Sequence, residues 1–413
     1  KCKNKIENFL TKNNLVDNYN ILELLEEQNL ENIIDKLETF PQDKLTDFTL
    51  ECVCEELLIT ASYKIERTGM KLGLHRMEYI LGLFNHPEKD LKVIHVAGTN
   101  GKGSTCSYIK DVLKTKYRVG LYSSPGMLSF NDRIRINDDF IPYKEAYRLY
   151  KEVAKVYDAN NHDPSDKLSF FEIITAVALL YFKDQKTDFV IMEVGLGGRY
   201  DGTNIFKEKL LSIITKIGLD HTAILGNSLE KIAYEKAGII QENDNIVIYP
   251  ADNSVVNVIS NICKEKNANF SILDENNIEI KDIGARGNKF SFRNIDYTTK
   301  MVGQHQIYNA CLALAAIFNL RSRGIIDIDD KTINSALASS SWAGRLEWIR
   351  PNILLDGAHN NDGINSLVNY LSVNNFPKLK ILLGILEDKD YKDMVAKLKT
   401  ISAESFLRLK FLL

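Results

Sequence analysis

The chain has 413 residues, a formal net charge of −3 and a hydrophobic fraction of 45%. This length suits two domains of ordinary size, and the composition is that of a folded globular protein, which excludes disordered and collagen-like classes. The weak net charge provides no general basic field, so we expect no nucleic-acid partner. No apolar run approaches the roughly 18 residues of a membrane span, and the start of the chain lacks the apolar stretch of a signal peptide. We therefore expect a cytoplasmic protein without a membrane partner.

Three parts follow one another along the chain. Residues 1–62 carry leucine and isoleucine at helical spacings and few glycines, which predicts a helical extension of unknown role. Residues 63–340 alternate short apolar runs with amphipathic ones, which predicts a parallel α/β sheet covered by helices. These apolar runs are KVIHVAG, YRVGLYSS, FVIMEVG, LLSIITKIG and NIVIYPA. Residues 341–413 repeat the alternation with NILLDGA and KILLGIL, which predicts a second, smaller α/β domain.

The stretch VIHVAGTNGKGST, residues 93–105, joins an apolar strand directly to a glycine-rich turn. Glycines allow backbone conformations that are closed to other residues, and the helix that follows directs its first N–H groups towards one point. The lysine adds a full charge, although the strict Walker pattern has Ser or Thr directly after it. An ordinary tight turn is the alternative. We predict a nucleotide phosphate site formed by Gly98, Thr99, Asn100, Gly101, Lys102, Gly103 and Ser104.

Charged residues also stand at the ends of two later strands. Glu193 ends one apolar run and precedes a glycine-rich loop with Asp201, while Asp220 and His221 end the next run. Ligands gather beyond the carboxyl ends of parallel strands, so these residues should share a crevice with the glycine-rich turn. The alternatives are a surface carboxylate for Glu193 and a buried, hydrogen-bonded ring for His221. Magnesium takes oxygen ligands and bridges protein groups to phosphates, a role open to Ser104, Ser124 and Glu193.

Eight motifs occur in the order found in folylpolyglutamate synthases and dihydrofolate synthases of the Mur ligase superfamily, so the chain resembles this family. The motifs are GTNGKGS, SSPGMLSFNDRIRIN, SFFEIITAVAL, EVGLGGRYDGTN, LDHTAILGNSLEKIAYEKAGII, GQHQIYNA, GRLEW and LDGAHNNDG. The resemblance implies a central P-loop ATPase domain followed by a smaller Rossmann-like domain. It also implies ATP-dependent amide formation, in which the carboxylate of dihydropteroate or a folate is phosphorylated and then attacked by the α-amine of L-glutamate.

The resemblance implies roles for individual residues around the phosphates. Lys102 contacts the ATP phosphates, and Ser104 lies beside them. Lys236, in YEKAGII, matches a catalytic lysine that becomes an anion by carbamylation; without the resemblance it would be interpreted as a solvated helical charge. The magnesium ions are held by residues that match Ser124, Glu193 and His221.

For the pterin side the resemblance implies contacts from Phe171, Asp201 and Gly202. An aromatic face beside a carboxylate suits a flat ring that bears amino and ring N–H donors. Helical spacing alone would assign Phe170 and Phe171 to the core. The RxDxTN form of the Asp201 loop is similar to that of members that accept dihydropteroate. We therefore expect dihydrofolate synthase activity, alone or with polyglutamylation.

The remaining motifs imply contacts to nucleotide and glutamate. Arg345 of GRLEW matches an arginine that reaches the ATP phosphates, and Asn309 of HQIYNA matches a contact to adenine. Asp356 and His359 of LDGAHN match ATP and glutamate contacts, with His359 also counted among the catalytic residues. A helix cap for Asp356 and a surface ion pair for Arg345 are the alternatives.

Two other function classes stay open at the level of sequence. One is a P-loop ATPase or small-molecule kinase without ligase activity, and the other is an inactive nucleotide-binding fragment. The family continues beyond the position where residues 341–413 end, so we expect this domain to be incomplete and loosely folded, with little ligase activity in the chain alone. The expected partners are small molecules, and the expected state is a monomer.

Overall fold

A computed structural model describes residues 4–6, 8, 30–37, 39, 44–66, 73–127, 129–160, 163, 166–376, 378–385, 391–401 and 403–408. Spatial proximity divides the chain into two compact units. Unit 1 comprises Lys1–Asp90 and Pro125–Lys186, and unit 2 comprises Leu91–Ser124 and Thr187–Leu413. This grouping by contacts is not the division into 1–62, 63–340 and 341–413, which stays a prediction.

Helices and strands alternate through much of the described chain. The helices are α1 (Leu30–Leu37), α2 (Lys44–Glu66), α3 (His75–Leu83), α4 (Lys102–Leu113), α5 (Tyr143–Asn160), α6 (Phe170–Asp184), α7 (Thr222–Leu225), α8 (Leu229–Ala237), α9 (Asn253–Glu265), α10 (Gln304–Ser322), α11 (Asp330–Ser339), α12 (Asn361–Asn374) and α13 (Tyr391–Leu398). The strands are β1 (Val93–Ala97), β2 (Val119–Tyr122), β3 (Ile134–Ile136), β4 (Asp139–Phe140), β5 (Phe189–Glu193), β6 (Leu211–Ile214), β7 (Asn245–Ile248), β8 (Asn269–Ile272), β9 (Ile278–Gly284), β10 (Gly287–Phe292), β11 (Ile295–Thr299), β12 (Glu347–Arg350), β13 (Ile353–Leu355), β14 (Leu379–Leu383) and β15 (Ala403–Arg408). Among the described helices, none has both the length and the apolar composition that crossing a membrane requires.

Unit 1 is mainly helical; α1 lies within the extension that the sequence predicts to be helical, and α2 begins there and continues to Glu66. Ile33, Leu37 and Leu50 are fully buried in a small apolar cluster between these two helices. In α6, Ser169 caps the first turn by accepting a hydrogen bond from the Glu172 N–H, and the Glu172 carboxylate accepts from the Ser169 N–H in return. This capping box fixes the first turn of α6, which carries Phe171.

Six strands of unit 2 form a parallel sheet in the order β2-β5-β1-β6-β7-β8. Helices α4, α10 and α11 pack on one face, and α8 and α9 pack on the other. Strands covered on both faces are mostly apolar, which is why β1, β5 and β6 are predominantly apolar runs in the sequence. The prediction of an α/β fold around a parallel sheet is confirmed.

Strands β9, β10 and β11 form a separate antiparallel sheet that sequence analysis did not predict. Phe290, Phe292 and Tyr297 point from this sheet into the main core and are almost fully buried. A two-residue turn joins β10 to β11, with Arg293 and Asn294 both at positive φ, as a type I′ hairpin requires. The alternation of KFSFRNIDYTT was therefore an available signal for this hairpin.

The third segment contains two pairs of strands. Strands β12 and β13 pair antiparallel, while β14 and β15 pair parallel. The sequence predicts β13 and β14 but not their partners. Leu382 of β14 and Leu407 of β15 are exposed, as are Ile353 and Leu355 of β13. The expectation that this segment is loosely folded stays a prediction.

Candidate active site

The glycine-rich turn begins where β1 ends, at the carboxyl edge of the sheet. The N–H groups of Thr99 and Asn100 donate to the Lys216 carbonyl over 2.9 and 3.2 Å, which holds the turn against the segment that follows β6. Gly101 precedes α4 in a left-handed conformation and provides no side-chain cap. The first N–H groups of a helix have no partner within it, so those of α4 could face an anion, and the phosphate site stays a prediction.

Three glycines of this turn have no room for a side chain, and at Gly101 a Cβ would lie 2.4 Å from Asn309 Oδ1. Gly98 has φ +146°, and a Cβ on it would lie 1.8 Å from Thr215 Oγ1. A Cβ on Gly103 would lie 2.6 Å from Trp342 Nε1. Close packing and backbone conformation both demand glycine at position 98.

Two lysines converge on the carbonyl oxygen of Gly98. Lys236 Nζ donates to it over 2.8 Å, and Lys102 Nζ donates to it over 3.2 Å and to the Thr99 carbonyl over 3.4 Å. Lys236 is only 5% exposed, so it is not the solvated helical charge that its sequence context suggested. Burial, helped by the charge of Lys102, lowers the pKa of Lys236 to about 7.

Helix α8 brings Lys236 to the turn because the loop after β5 packs closely on its end. The Arg199 N–H donates to the Glu235 carbonyl over 2.9 Å, and Asn204 Nδ2 donates to the Gly238 carbonyl over 3.0 Å. A Cβ on Gly198 would lie 2.7 Å from the Lys236 carbonyl oxygen. The glycines of GLGGRYDGTN therefore permit the close approach that positions Lys236.

Glu193 ends β5 and is only 5% exposed, which excludes the surface-carboxylate alternative. Burial raises its pKa, while Lys102, Arg345 and a hydrogen bond from the Ser124 N–H act in the opposite direction. His221 lies at positive φ before α7 with its side chain 43% exposed, so it is not a buried ring. Among the described residues, no three His, Cys, Asp or Glu side chains group closely enough to hold a metal by themselves. A buried carboxylate next to a serine nevertheless suits a magnesium ion that takes its other ligands from phosphates.

Asp201 and Gly202 are buried in the loop after β5. The Asp201 carboxylate accepts hydrogen bonds from the Leu196 N–H (2.8 Å), the Thr203 N–H (3.0 Å) and Thr203 Oγ1 (2.6 Å). Burial raises its pKa, and these hydrogen bonds oppose the rise. Thr203 Oγ1 also lies 2.9 Å from Nε2 of His95 in β1. Sequence analysis did not predict this contact. Asp201 thus organises its own loop.

The predicted pterin aromatic belongs to the other unit. Phe171 stands in the first turn of α6 and is half-buried, while Phe170 beside it is almost fully buried. Helical spacing alone assigned both phenylalanines to the core. This holds for Phe170, whereas part of the Phe171 side chain is open to solvent.

A single cavity of unit 2 brings together residues from distant motifs. Its lining includes eight residues that the sequence predicts for ATP, glutamate or catalysis, namely Asn100, Gly101, Gly103, Ser104, Asn309, Arg345, Asp356 and His359. It also includes residues that sequence analysis missed, namely Lys216, His305, Gln306 and Asp362. Gln306 Nε2 donates to Ser104 Oγ and Asn309 Nδ2 donates to Gln306 Oε1, each over 3.1 Å. The motif GQHQIYNA was the signal for these contacts.

Asp356 and His359 occupy the loop between β13 and α12. Asp356 accepts the N–H groups of Leu346 and Ala358, each over 2.9 Å, and burial raises its pKa. It does not cap α12, because Asn360 does so by accepting the Gly363 N–H. His359 Nδ1 lies 2.9 Å from the Gly357 carbonyl, and its Nε2 lies 3.4 Å from Asp220 Oδ2. The His359 ring is thus held between a carbonyl and a carboxylate at the cavity.

Comparison with known proteins gives one consistent family. The model of the Mur ligase middle domain matches residues 96–317. The chain is 39% identical to the dihydrofolate synthase/folylpolyglutamate synthase of Bacillus subtilis (strain 168), over 81% of this chain and 80% of that protein. The crystal structure of folylpolyglutamate synthase from Thermotoga maritima is similar at 30% identity and a TM-score of 0.75, covering 86% of each chain. A folylpolyglutamate synthase complex with AMPPCP and folate is similar at 28% identity and a TM-score of 0.76, covering 85% of this chain and 88% of that one.

Gly98→Ala should cost about 3 kcal/mol or more of folding free energy, since it combines a strained φ with a clash against Thr215. Urea unfolding measures this cost. Gly324→Ala is the matched control because Gly324 also has positive φ, but a Cβ on it would have no heavy atom within 4 Å, so only about 1 kcal/mol is expected. Adding Thr215→Ala to Gly98→Ala should recover part of the loss. Equal costs at positions 98 and 324 would contradict this account of the turn.

Proposed function

This chain belongs to the folylpolyglutamate synthase and dihydrofolate synthase family of Mur ligases, and from this we propose that it joins L-glutamate to the carboxylate of dihydropteroate or a folate. The γ-phosphoryl group of ATP passes to a carboxylate oxygen, which gives ADP and an acyl phosphate. The glutamate α-amine then attacks the carbonyl carbon, phosphate leaves, and an amide forms. The observation that carries the proposal is the cavity in which the glycine-rich turn faces Arg345, Asp356 and His359.

The chemistry requires positioning and charge neutralisation, because a carboxylate reacts with an amine only after its oxygen has become a good leaving group. The N–H groups of the turn and the ammonium of Lys102 would neutralise the phosphates from one side. Arg345, which lines the cavity, would add a second full positive charge. Asn309, which lines the same cavity, would contact adenine.

Magnesium belongs to the proposal through Ser124, Glu193 and His221. The support is chemical: Glu193 is a buried carboxylate beside the cations Lys102 and Arg345. When bound, magnesium would neutralise charge on the phosphate oxygens. Ser124, Glu193 and His221 would hold the ion near the end of β5.

Carbamylation of Lys236 also belongs to the proposal. Carbon dioxide reacts with the neutral amine, and a pKa of about 7 leaves about half of the Lys236 side chains neutral near that pH. The reaction forms an N–C bond, releases a proton and converts the neutral amine into an anion. Such an anion beside Lys102 would suit a site that binds cations.

The acceptor substrate and glutamate need contacts of their own. Asp356 would contact ATP and His359 would contact glutamate, while Asp201, Gly202 and Phe171 would contact the pterin. The RYDGTN loop favours dihydropteroate, so the proposed activity is that of a dihydrofolate synthase, alone or with polyglutamylation. A monomeric, cytoplasmic enzyme with small-molecule partners completes the proposal.

Incubation of the protein with ATP, magnesium, glutamate and either dihydropteroate or tetrahydrofolate tests this function. We expect mass spectrometry to find the glutamyl amide, with one ADP for each amide formed. Amide from dihydropteroate identifies dihydrofolate synthase activity, and further additions to tetrahydrofolate identify polyglutamylation. Release of phosphate at equal rates with and without glutamate would instead identify an ATPase, and absence of nucleotide binding an inactive fragment.

Lys102→Ala should lower turnover at least about a hundredfold, since one well-placed charge at such a site contributes about 2.7 kcal/mol or more. Steady-state rates measure this, and circular dichroism checks the fold. Lys266→Ala is the control, because Lys266 is an exposed lysine whose ion pair is with exposed Glu242 in unit 2. Unchanged turnover in Lys102→Ala would contradict the phosphate assignment.

Carbamylation of Lys236 should increase between about pH 6 and about pH 8 at constant carbon dioxide pressure, because the neutral amine gains population as pH rises through its pKa. Carbon-13 NMR with labelled carbon dioxide would detect the carbamate. Lys236→Ala should lack this signal and most of the activity, and short carboxylic acids should restore part of the activity. A bare amine at every pH would remove the carbamate from the mechanism.

A further inference from the structure

Asn360 and Asp362 join the start of α12 to the glycine-rich turn and to the segment after β6, and the proposed reaction assigns no role to these contacts. The side-chain amides of Asn100 and Asn360 face each other, with Asn360 Nδ2 donating over 3.0 Å and Asn100 Nδ2 over 3.4 Å. Beside them, Lys216 Nζ lies 2.9 Å from Asp362 Oδ1. Asn100 Nδ2 also lies 3.5 Å from Asp362 Oδ2. The Asp362 carboxylate therefore contacts both the turn and the segment after β6.

Lys216 holds the same turn by its backbone. Its carbonyl accepts the N–H groups of Thr99 and Asn100, while its ammonium pairs with Asp362. Asn360 is fixed in turn, because its Oδ1 caps α12 by accepting the Gly363 N–H over 2.9 Å. The start of α12 thus presents an oriented amide and a carboxylate to the loop that would bind phosphate.

We propose that Asp362 is a positioning residue that holds the glycine-rich turn in its nucleotide-binding shape by acting through Lys216 and Asn100. This inference rests on the proposed function, since all three residues line the cavity assigned to ATP. A carboxylate at a polyphosphate site repels the ligand, so by charge alone Asp362 weakens nucleotide binding. Its benefit comes from the geometry that it imposes on the turn.

A rival account makes Lys216 a direct phosphate ligand, which Asp362 merely neutralises when no nucleotide is present. The two accounts differ in the sign of one measurement. If Asp362 only neutralises Lys216, its removal frees a cation and tightens nucleotide binding. If Asp362 positions the turn, its removal weakens binding even though a negative charge has been taken away.

Calorimetric titration of the full chain with the non-hydrolysable analogue AMPPCP measures this sign. We expect Asp362→Ala to weaken binding about fivefold, the size appropriate to a partly exposed ion pair with side chains 42% and 27% exposed. Lys216→Met should weaken binding similarly. The double variant should be no more than about twofold weaker than either single variant, because both remove one shared interaction.

Glu242→Ala is the matched control, since Glu242 pairs with Lys266 over 3.1 Å at the surface and lies outside the cavity. Its affinity for AMPPCP should stay within about twofold of wild type. Asp362→Asn, which keeps an acceptor for Asn100 but loses the ion pair, is the second variant if Asp362→Ala melts early, and an intermediate weakening is expected.

The outcomes separate this inference from the proposed function. Wild-type protein that binds AMPPCP, combined with unchanged or tighter binding by Asp362→Ala, would overturn the positioning role and leave the nucleotide site standing. Wild-type protein that does not bind AMPPCP would overturn the nucleotide site, and the positioning role with it. Weaker binding by Asp362→Ala, with unchanged binding by Glu242→Ala, supports both.

Discussion

The carbonyl oxygen of Gly98 is the point on which the site depends. It accepts hydrogen bonds from Lys102 of the turn and from Lys236 of α8, so two lysines that are far apart in sequence are brought to one atom. This carbonyl can be reached only because the chain leaves β1 at a φ of +146°, with Thr215 of the neighbouring segment packed against the glycine. The position of these two lysine charges therefore follows from a backbone conformation that only glycine adopts without strain.

Burial shifts the pKa values of the lysine and of the carboxylates in this region in opposite directions. The pKa of Lys236 falls towards 7, while the pKa values of Glu193, Asp201 and Asp356 rise, because desolvation disfavours each charged form. For the partly buried His305, desolvation and the charges of Arg345 and Lys216 lower the pKa to about 4. The charged forms of these buried lysine and carboxylate side chains are unfavourable by themselves. A ligand that carries both negative phosphates and a divalent cation would stabilise both kinds of charge.

The sequence predicted those features that are local and failed on those that depend on tertiary contact. Apolar runs that reflect burial on both faces indicated β1, β5 and β6, and glycines next to a lysine indicated the turn. The antiparallel sheet was missed although Phe290, Phe292 and Tyr297 alternate with polar residues and reach the core, because the segment was not searched for a hairpin signal. Lys216 and Asp362 were missed because neither residue is unusual in its own segment, and they are 146 positions apart.

The roles of polar residues were harder to predict from sequence, because the chemistry of a polar side chain depends on whether the fold buries it. Sequence context favours a solvated helical charge for Lys236 and offers a buried ring for His221, whereas the structure buries the lysine and exposes the histidine. The glycines after β5 allow their own loop to pack closely on the end of helix α8, where Lys236 lies. The burial of Lys236, and with it its pKa, therefore depends on the loop after β5 and not on helix α8 alone.

Asp220 shows why the contributions of single residues at this site should not add. Its Oδ2 accepts a hydrogen bond from Asn360 Nδ2 over 3.0 Å and lies 3.4 Å from His359 Nε2, while its Oδ1 accepts the His221 N–H over 2.8 Å. One carboxylate therefore connects the proposed metal-binding loop, the proposed glutamate contact and the cap of α12. Residues that share a partner are energetically coupled, so removing any one of them changes the geometry of the others. Polar contacts thus connect the segments that follow β1 and β6 with the start of α12 in one network, so substitutions within it should be coupled.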